Sequence, residues 1–381
     1  MKKQKIIHII DTLELGGVQN LLLSLISALK KDFDFEIIGF DIEDAKNEFL
    51  TAGAKKVTVL EISPFKTGFK YPQNIFKINR KLLKILQESK PNIVQTHLIG
   101  ADIWGRLAAI KARVPKIIQT VHSAEKFRNN FFSAKGLKTL FFDKYLEKKT
   151  FKIIAVSKEI KNLLINQGIP DSKIKVIYPP IDTLKFAPNT SIRKKTRSEL
   201  KVKNNYIVGS VGRLSKLKAY DVLIKSFQEF SKIAPESKLI IIGDGEEKTN
   251  LLKYIKGNNL EKQVKLLGWR NDIDKLINVF DQFVLTSRLE GMPLVVSEAA
   301  ANAKPIISTN AGGVKELIQN NKTGFVVEID NQKALIEKMK YLYQNPKISK
   351  QIAKNARNAS KMQDISKIAL EYKKIYNHKH E

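Results

Sequence analysis

The feature of this sequence that most limits its fold is an end-to-end alternation of short Ile/Val-rich runs with longer amphipathic stretches. Continuous apolar runs predict strands that are buried on both faces, as in parallel sheets. The stretches between them have helical spacing, and strand–helix alternation predicts doubly wound α/β domains. The predicted strands are KIIHII, FEIIGF, KVTVL, NIVQT, KIIQTV, KIIAVS and IKVIY in the first half, and YIVGSVG, KLIIIG, VKLLG, QFVLTS, KPIIST and GFVVE in the second.

The alternation is interrupted once, at residues 178–205, where Pro, Thr, Asn and charged residues are concentrated. Such a composition predicts a domain linker. A chain of 381 residues also suits two domains of ordinary size. We therefore expect an N-terminal domain at residues 1–180 and a C-terminal domain at 181–363, followed by a helix at about 364–381.

Composition excludes several classes of protein. The chain contains no cysteine, so it can form neither a disulfide framework nor a thiolate metal site. The apolar run in MKKQKIIHIIDTL is too short for a signal peptide, and no apolar run approaches the roughly 20 residues of a membrane span. We expect a cytoplasmic protein that is either soluble or peripheral at the inner face of the membrane.

The basic charge of the chain is unevenly distributed. The formal net charge is +29, and residues 51–180 hold 25 Lys/Arg against 8 Asp/Glu, whereas residues 281–330 hold 4 against 6. Basic surfaces attract nucleic acid or anionic membrane, although a Lys-, Ile- and Asn-heavy composition also follows from coding bias. The aromatic, basic segment 126–152 and the basic amphipathic segment 74–87 could rest on anionic lipid or pack on the sheet. An anionic membrane surface is therefore a candidate partner.

The stretch SRLEGMPLVVSEAAANAKPI places one glutamate before a predicted helix and another inside it. Pro293 suits the first helical position, so Glu290 lies on the entering loop and Glu298 more than a turn inside. Eight residues at about 1.5 Å rise separate them by about 12 Å, whereas hydrolytic carboxylate pairs need about 5 to 9.5 Å. Hydroxyl-binding carboxylates beside a phosphate site fit better, and two solvated glutamates are the alternative. The amides offered to an anion are those of Gly291, Met292 and Leu294.

Three further features are candidate parts of a site. Arg213 and Lys218 lie on a loop after a strand, where two cations could neutralise a diphosphate or simply be solvated. Gly243, in LIIIGDGE, belongs to an incomplete dinucleotide fingerprint, so it indicates either a phosphate- or base-side turn or a plain strand–helix turn. His122 follows a strand at its carboxyl end, where open α/β sheets bind ligands, but a lone loop histidine is often only solvated.

The sequence gives no convincing metal site. Asp-x-Asp occurs at residues 32–34 and 272–274, where ordinary strand edges and helix caps fall, and the five histidines lack ligand spacing. No Walker A sequence is present, which argues against an ATPase.

Taken together, the motifs resemble those of the retaining glycosyltransferases of family 4. VGRLSKLKAYDVLI, LIIIGDGE, VKLLGW and SRLEGMPLVVSEAAANAKPIISTNAGGVKELI follow the family's order and spacing, and LGGVQN, TVHS and AVSKEIKNLL match its weaker N-terminal pattern. The resemblance covers nearly the whole chain. It implies the GT-B fold, in which two Rossmann-like doubly wound parallel-sheet domains face a cleft. The acceptor then lies on the N-terminal side and the donor on the C-terminal side, and the C-terminal helix crosses back to the first domain.

The resemblance also implies roles for individual residues. Glu290 would contact hydroxyls of the transferred sugar, Glu298 would hold the ribose diol, and His122 would lie near the sugar. Two departures are Ala219, where the family usually has Gly, and Met292, where Phe, Leu or Val is more usual. The implied catalytic residues are His122, Arg213, Lys218 and Glu290. The implied donor-binding residues are Gly16, Gly17, Arg213, Lys218, Gly243, Gly291, Met292, Pro293, Leu294 and Glu298.

The function implied by the resemblance is metal-independent, retaining transfer of a sugar from a nucleoside-diphosphate donor. The acceptor would be a glycan or a lipid-linked molecule, in the synthesis of cell-surface polysaccharide or glycolipid. No cofactor, metal or nucleic-acid partner is expected. Two alternatives remain open: a nucleotide-sugar epimerase of the same fold, and a nucleic-acid-binding protein suggested by charge alone. The sequence does not identify the donor base, the sugar or the acceptor.

Overall fold

The structure, a computed structural model, describes residues 3–41, 44–62, 71–123 and 144–378, with only the backbone at 71–73. The chain divides into two compact units, one comprising Met1–Pro180 and Ile365–Glu381, the other comprising Ile181–Asp364.

The first unit is built on a parallel sheet to which seven strands contribute within the described residues. Their order is β3-β2-β1-β4-β5-β6-β7, so the direction of winding reverses between the first and fourth strands. Isoleucines from both faces of the first strand are buried, as a sheet with helices on both sides requires. The strands are β1 (Gln4–Thr12), β2 (Phe33–Asp41), β3 (Lys56–Val59), β4 (Ile93–His97), β5 (Lys116–Val121), β6 (Lys152–Ala155) and β7 (Ile174–Val176). The helices are α1 (Gly17–Leu29), α2 (Lys46–Ala52), α3 (Tyr71–Ser89), α4 (Ile99–Lys111) and α5 (Lys158–Asn166).

The second unit repeats this architecture with six strands. Their order is β10-β9-β8-β11-β12-β13, all parallel, and the winding reverses between the eighth and eleventh strands. The strands are β8 (Tyr206–Val211), β9 (Ser237–Ile242), β10 (Val264–Leu266), β11 (Gln282–Leu285), β12 (Ile306–Thr309) and β13 (Phe325–Val327). The helices are α6 (Thr190–Glu199), α7 (Tyr220–Ser231), α8 (Lys248–Gly257), α9 (Ile273–Val279), α10 (Leu294–Ala301), α11 (Val314–Leu317), α12 (Gln332–Gln344) and α13 (Pro346–Ser360).

The fold class predicted from the alternation is confirmed, because both units are doubly wound parallel sheets and every predicted strand is present. The extent of the predicted linker is wrong, since α6 lies inside residues 178–205. This helix belongs to the second unit because its arginines bind the end of α9. Arg193 and Arg197 each donate to the carbonyl of Val279 at 3.0 Å, and both pair with Asp281. Cations satisfy carbonyls that a helix end leaves free.

The last helix, α14 (Ile365–Asn377), packs on α1 in the first unit, in agreement with the resemblance. Tyr372 and Tyr376 are fully buried there. The Tyr376 hydroxyl donates to Gln95 on β4 at 2.6 Å, and Lys116 on β5 donates to the Tyr376 carbonyl at 2.7 Å. The helix is therefore held to the sheet by hydrogen bonds as well as by apolar burial.

Candidate active site

The reversal of winding in the second unit brings together the loops that follow β8 and β11. Open α/β sheets bind ligands at such a point, outside the carboxyl ends of the strands. The first loop carries Arg213 and Lys218, and the second carries Glu290. The loops are tied to each other, because the Thr286 hydroxyl donates to the Lys218 carbonyl at 2.9 Å and the Arg288 amide donates to the Leu217 carbonyl at 2.7 Å. Residues 72 positions apart in sequence thus become neighbours.

The side chains of Lys218 and Glu290 form an ion pair. The Lys218 Nζ donates to Glu290 Oε1 at 2.5 Å, and the two side chains are only 23% and 10% exposed. A hydrogen-bonded pair of opposite charges holds both groups in one geometry more firmly than two exposed charges would. The sequence placed these residues in one site but did not predict their direct contact.

The N-terminus of α10 follows directly after Glu290. Pro293 is the N-cap residue rather than the first helical residue, because its ψ of 104° is extended, and the helix begins at Leu294. This corrects the sequence prediction by one position. Within the described residues, the structure records no protein acceptor for the amides of Gly291, Met292 and Leu294. Free amides at a helix N-terminus form an anion-binding site.

A third loop, after β12, packs against the residues that precede α10. It was not predicted from the sequence to be part of the site. Gly312 has φ +58°, and a Cβ there would lie 2.2 Å from the Glu290 carbonyl oxygen. The Gly313 amide donates to the Gly291 carbonyl at 2.9 Å, and a Cβ on Gly313 would lie 2.7 Å from Met292 Cε. The signal was the Ala-Gly-Gly that follows a predicted strand: paired glycines there mark a close backbone approach.

Gly243 has a structural reason to be glycine. It has φ +143°, and a Cβ there would lie 1.9 Å from the Gly212 carbonyl oxygen. Its amide donates to the Gly268 carbonyl at 2.8 Å. The packing of two strand–helix turns therefore accounts for this glycine, and its role in donor binding remains a prediction.

Ala219 has the left-handed conformation, with φ +50° and ψ +43°, as the N-cap residue of α7. This conformation costs an L-residue roughly 1 to 2 kcal/mol, whereas glycine adopts it freely. The departure noted in the sequence therefore adds strain to this loop, because a glycine here would avoid the strain that Ala219 carries. The Thr286 hydroxyl contacts the Ala219 carbonyl at 3.1 Å, so the strained residue is fixed from the neighbouring loop.

Glu298 lies on α10 with its side chain partly buried. Burial raises the pKa of this carboxyl to about 7; Lys185 opposes the shift, and Asp274 adds to it. A carboxyl that is costly to ionise, near a candidate anion site, is a feature typical of functional sites.

In the first unit, Gly16 and Gly17 follow β1 at the reversal of winding. Gly16 is the N-cap residue of α1, and Gly17 is its first residue. A Cβ on Gly16 would lie 3.1 Å from Gln19 Oε1, and Gln19 Nε2 donates to the Thr12 carbonyl at 2.8 Å. The loop between β1 and α1 thus packs closely against the buried side chain of Gln19.

His122 follows β5, and two histidines lie behind it. Its Nε2 is 3.0 Å from His97 Nδ1, and His97 Nε2 is 3.0 Å from His8 Nδ1. Burial lowers the pKa of His122 to about 4, so the ring is neutral at pH 7. His97 and His8 were not predicted from the sequence as site residues. The usable signal was that His8 lies in, His97 ends and His122 directly follows strands that are neighbours in a doubly wound sheet.

The first carboxylate of each Asp-x-Asp match has a cationic partner. Asp32 pairs with Lys373 at 2.7 Å, and Asp272 pairs with Arg270 at 2.7 Å. In the described ranges, no group of three or more His, Asp or Glu side chains is placed to hold a metal ion.

Two family models match the chain. "Glycosyltransferase Family 4" matches residues 15–185, and "Glycosyl transferases group 1" matches residues 191–359. The chain is 34% identical, over 287 residues, to the UDP-Gal:alpha-D-GlcNAc-diphosphoundecaprenol alpha-1,3-galactosyltransferase of Escherichia coli, covering 73% of this chain and 72% of that one. It is 27% identical to a diphospho-undecaprenol 4-alpha-N-acetylgalactosaminyltransferase of Campylobacter jejuni, covering 96% and 97%. The protein belongs to glycosyltransferase family 4.

Solved structures agree with the family assignment at the level of the fold. Anabaena HepE in complex with UDP-glucose superposes with a TM-score of 0.84 at 23% identity, covering 97% of this chain and 98% of that one. Sucrose-phosphate synthase of Thermosynechococcus elongatus gives 0.80 at 17% identity, covering 98% of both. The fold is therefore GT-B. These findings give no support to an epimerase or to a nucleic-acid-binding protein.

The raised pKa of Glu298 predicts a pH-dependent cost to stability. In the folded state this carboxyl ionises near pH 7 rather than near its ordinary 4.5. Stability is therefore lost as the pH rises through that window. The variant Glu298→Gln keeps the shape and cannot ionise, so we expect it to unfold at higher urea concentration than the natural protein at pH 8, and at a similar concentration at pH 5.

The control for this measurement is Glu337→Gln, which removes a carboxylate from the exposed side of α12. It should change the urea midpoint little, and equally at both pH values. If Glu298→Gln also gave the same difference at pH 5 and pH 8, ionisation of Glu298 would not be the cause.

Proposed function

We propose that this glycosyltransferase is a retaining enzyme that transfers a sugar from a UDP-sugar to a lipid-linked acceptor in the synthesis of a cell-surface glycan. One observation carries the donor side: the Lys218–Glu290 ion pair and the N-terminus of α10 lie on the loops beside the reversal of the second sheet. The names of the relatives support the choice of substrates. The E. coli enzyme uses UDP-Gal and a diphosphoundecaprenol-linked sugar, and the C. jejuni enzyme acts on a diphospho-undecaprenol.

The donor's diphosphate would lie at the N-terminus of α10. The amides of Gly291, Met292 and Leu294, together with Arg213 and Lys218, would bind its oxygens. Negative charge grows on this leaving group as the bond to the sugar breaks. Fixed cations and helix dipoles that already point at the oxygens stabilise that charge without reorganising.

The pair of Lys218 and Glu290 gives this arrangement a specific role. Before the donor binds, Glu290 neutralises Lys218. An arriving diphosphate competes for the same ammonium group, which has three protons to donate. Glu290 then has carboxylate oxygens available for the hydroxyls of the sugar while Lys218 also contacts the leaving group. The pair thus links recognition of the sugar to stabilisation of the departing charge.

Retention follows from attack by the acceptor on the face that the diphosphate leaves. A double displacement would need a carboxylate presented as a nucleophile. Glu290 is instead held by Lys218, and Glu298 is assigned to the ribose. We therefore propose that the chain supplies no covalent intermediate and that the diphosphate itself lies beside the attacking hydroxyl.

Metal independence is part of the proposal, because Arg213, Lys218 and the helix N-terminus supply the positive charge that a divalent ion would otherwise supply. Transfer from a UDP-sugar should keep its rate in excess EDTA. Lys218→Gln in the same assay should lower kcat and should not be rescued by added magnesium or manganese. Activity that disappears with EDTA and returns with either ion would contradict this.

Replacement of Glu298 and replacement of Glu290 should affect different measured quantities, UDP affinity in the first case and kcat in the second. Glu298→Gln removes a carboxylate that accepts from the ribose, and hydrogen bonds to charged groups contribute roughly 1.5 to 3 kcal/mol. UDP should therefore bind about one to two orders of magnitude more weakly. Glu290→Gln should not weaken UDP binding, because Lys218 is then released to the diphosphate, but it should lower kcat since the lost contact lies at the reacting sugar.

Titration calorimetry measures the affinity of both variants for UDP, and steady-state kinetics measures their kcat. Glu337→Gln is the control for each, because its side chain is exposed on α12. Equal losses of UDP affinity in both glutamate variants would show that the two carboxylates do not divide the donor between them.

We also propose that the first unit binds an anionic membrane, where a lipid-linked acceptor would be found. In α3 the apolar side chains Ile78, Leu82 and Leu86 are buried in the unit's own core, so they are not available to lipid. The outward side of α3 instead exposes Phe76 (68% exposed) and a row of cations. Contact would then be electrostatic, with one aromatic anchor. The predicted segment 126–152 lies mostly outside the described residues, and no described helix is long and apolar enough to cross a bilayer.

Binding to vesicles tests this surface. Replacing Lys77, Arg80 and Lys84 with Gln should weaken binding to anionic vesicles by up to about 1 kcal/mol for each charge removed, and salt should weaken binding by the natural protein. The control replaces the same number of exposed cations on α13 in the second unit, Lys347, Lys350 and Lys354. Equal effects of both triple variants would indicate unspecific charge attraction, and binding to neutral vesicles alone would contradict the proposal.

A further inference from the structure

Three histidines form a hydrogen-bonded chain across neighbouring strands of the first sheet. His122 follows β5, His97 ends β4, and His8 lies in β1, with both N···N distances at 3.0 Å. His8 and His97 are fully buried, and Phe35 stacks on His8 with ring centroids 5.7 Å apart. His122 alone keeps part of its surface exposed. The three imidazoles therefore lead from a partly exposed ring, His122, into the core.

The three rings are neutral at pH 7. Burial lowers the pKa of His8 to about 3 and that of His122 to about 4, and it lowers the pKa of His97 well below its ordinary value, helped by the two neighbouring imidazoles. Each neutral ring carries one proton. With three protons and two hydrogen bonds, both bonds form only when the three rings share one tautomer. The protons lie either on every Nδ1 or on every Nε2.

The inner end of the chain distinguishes the two arrangements. The Nε2 of His8 is buried and has no partner within the described residues. If the protons lie on Nε2, an N–H donor is buried there without an acceptor, which is the rarest kind of unsatisfied group in proteins. If they lie on Nδ1, only a lone pair is left unpaired. The second arrangement makes His122 Nε2 an acceptor from His97 and leaves the proton on His122 Nδ1.

We propose that His97 and His8 are positioning residues that hold His122 as a neutral hydrogen-bond donor with its proton on Nδ1. Because its other nitrogen accepts from His97, His122 has no basic atom to offer a substrate. It therefore cannot remove a proton from the acceptor hydroxyl. Its partner must be an oxygen that accepts, such as a sugar hydroxyl or an oxygen that becomes negative during transfer. The assignment of this partner rests on the proposed function, whereas the assignment of the tautomer does not depend on that function.

The tautomer can be read directly by nuclear magnetic resonance on the unliganded protein. Replacing His378 and His380 with Asn leaves only the three hydrogen-bonded histidines in the protein. Their shared tautomer can then be read without assigning each signal to a residue. In protein labelled with ¹⁵N-histidine, long-range ¹H–¹⁵N correlation at pH 7 should show three protonated Nδ1 atoms and three bare Nε2 atoms. Free neutral histidine favours the proton on Nε2, so the expected pattern is the opposite of the default. A protonated Nε2 or a doubly protonated ring among the three would overturn the proposal.

Two variants of His97 test its effect on turnover. His97→Leu removes the donor to His122, so we expect its Nδ1 proton to be lost in part and kcat to fall about three- to tenfold, the contribution of one neutral hydrogen bond. His97→Asn can place an amide N–H near the position of the lost Nδ1, so it should recover part of both the tautomer signal and kcat. The Michaelis constants for the donor should change less than kcat.

A purely structural role for His97 predicts a different result. Both variants would then lose kcat in proportion to their loss of thermal stability, and the His122 signal would not follow the rate. That outcome would overturn the positioning role. If no sugar transfer were found at all, the correlation spectrum of the protein with Asn at positions 378 and 380 would still decide the tautomer, so failure of the proposed function and failure of this inference are distinguishable.

Discussion

The site of the second unit depends on one topological constraint, the reversal of strand order between β8 and β11. Crossover connections go to opposite sides on either side of this point, so the loops after the two strands are not covered by a helix and can contact each other. Lys218 and Glu290 meet for this reason, although neither loop would hold its charge in place alone. The hydrogen bonds from Thr286 to the first loop, and the packing of Gly312 against Glu290, make the junction rigid. A site built from such fixed loops is pre-organised for charge that appears only during a reaction.

Much of this fold could be predicted from the sequence because its signals are local. A buried parallel strand must be apolar on both faces, so each strand is visible as an Ile/Val run wherever it lies in the sheet. The helix inside the predicted linker was missed because α6 is polar outside and is held largely by arginine contacts with α9 and Asp281, which are 82 to 88 residues away. Local composition cannot distinguish such a helix from a solvated linker. The one-residue error at Pro293 has a similar origin, because the proline ring fixes φ but leaves ψ to be set by tertiary contacts of the loop.

Site residues were predictable to the extent that they lie within motifs. The positions of Arg213, Lys218, Glu290 and Glu298 on two loops and a helix followed from the sequence, but which of them touch did not, because contact depends on strand order. His97 and His8 carried even less signal, since a histidine inside an apolar strand resembles any other core position. Only the register of three strands, with His8 opposite Gln95 and His97 opposite Thr120, brings the imidazoles into line.

The proposed function assigns chemically different groups to the diphosphate and to the sugar, because the two ligand groups differ in charge. The diphosphate bears charge that increases as it departs, and under the proposed function Lys218, Arg213 and the N-terminus of α10 would stabilise that charge. A sugar hydroxyl is neutral, and a cation beside it would also attract the diphosphate and compete with the intended site. A neutral imidazole avoids that competition. Burial lowers the pKa of His122 and keeps its ring neutral, but burial also leaves its inner nitrogen without water. His97, on the neighbouring strand, donates a hydrogen bond to that nitrogen, and His8, one strand further into the core, donates in turn to His97. Within the described residues, only the lone pair on His8 Nε2 then remains unpaired.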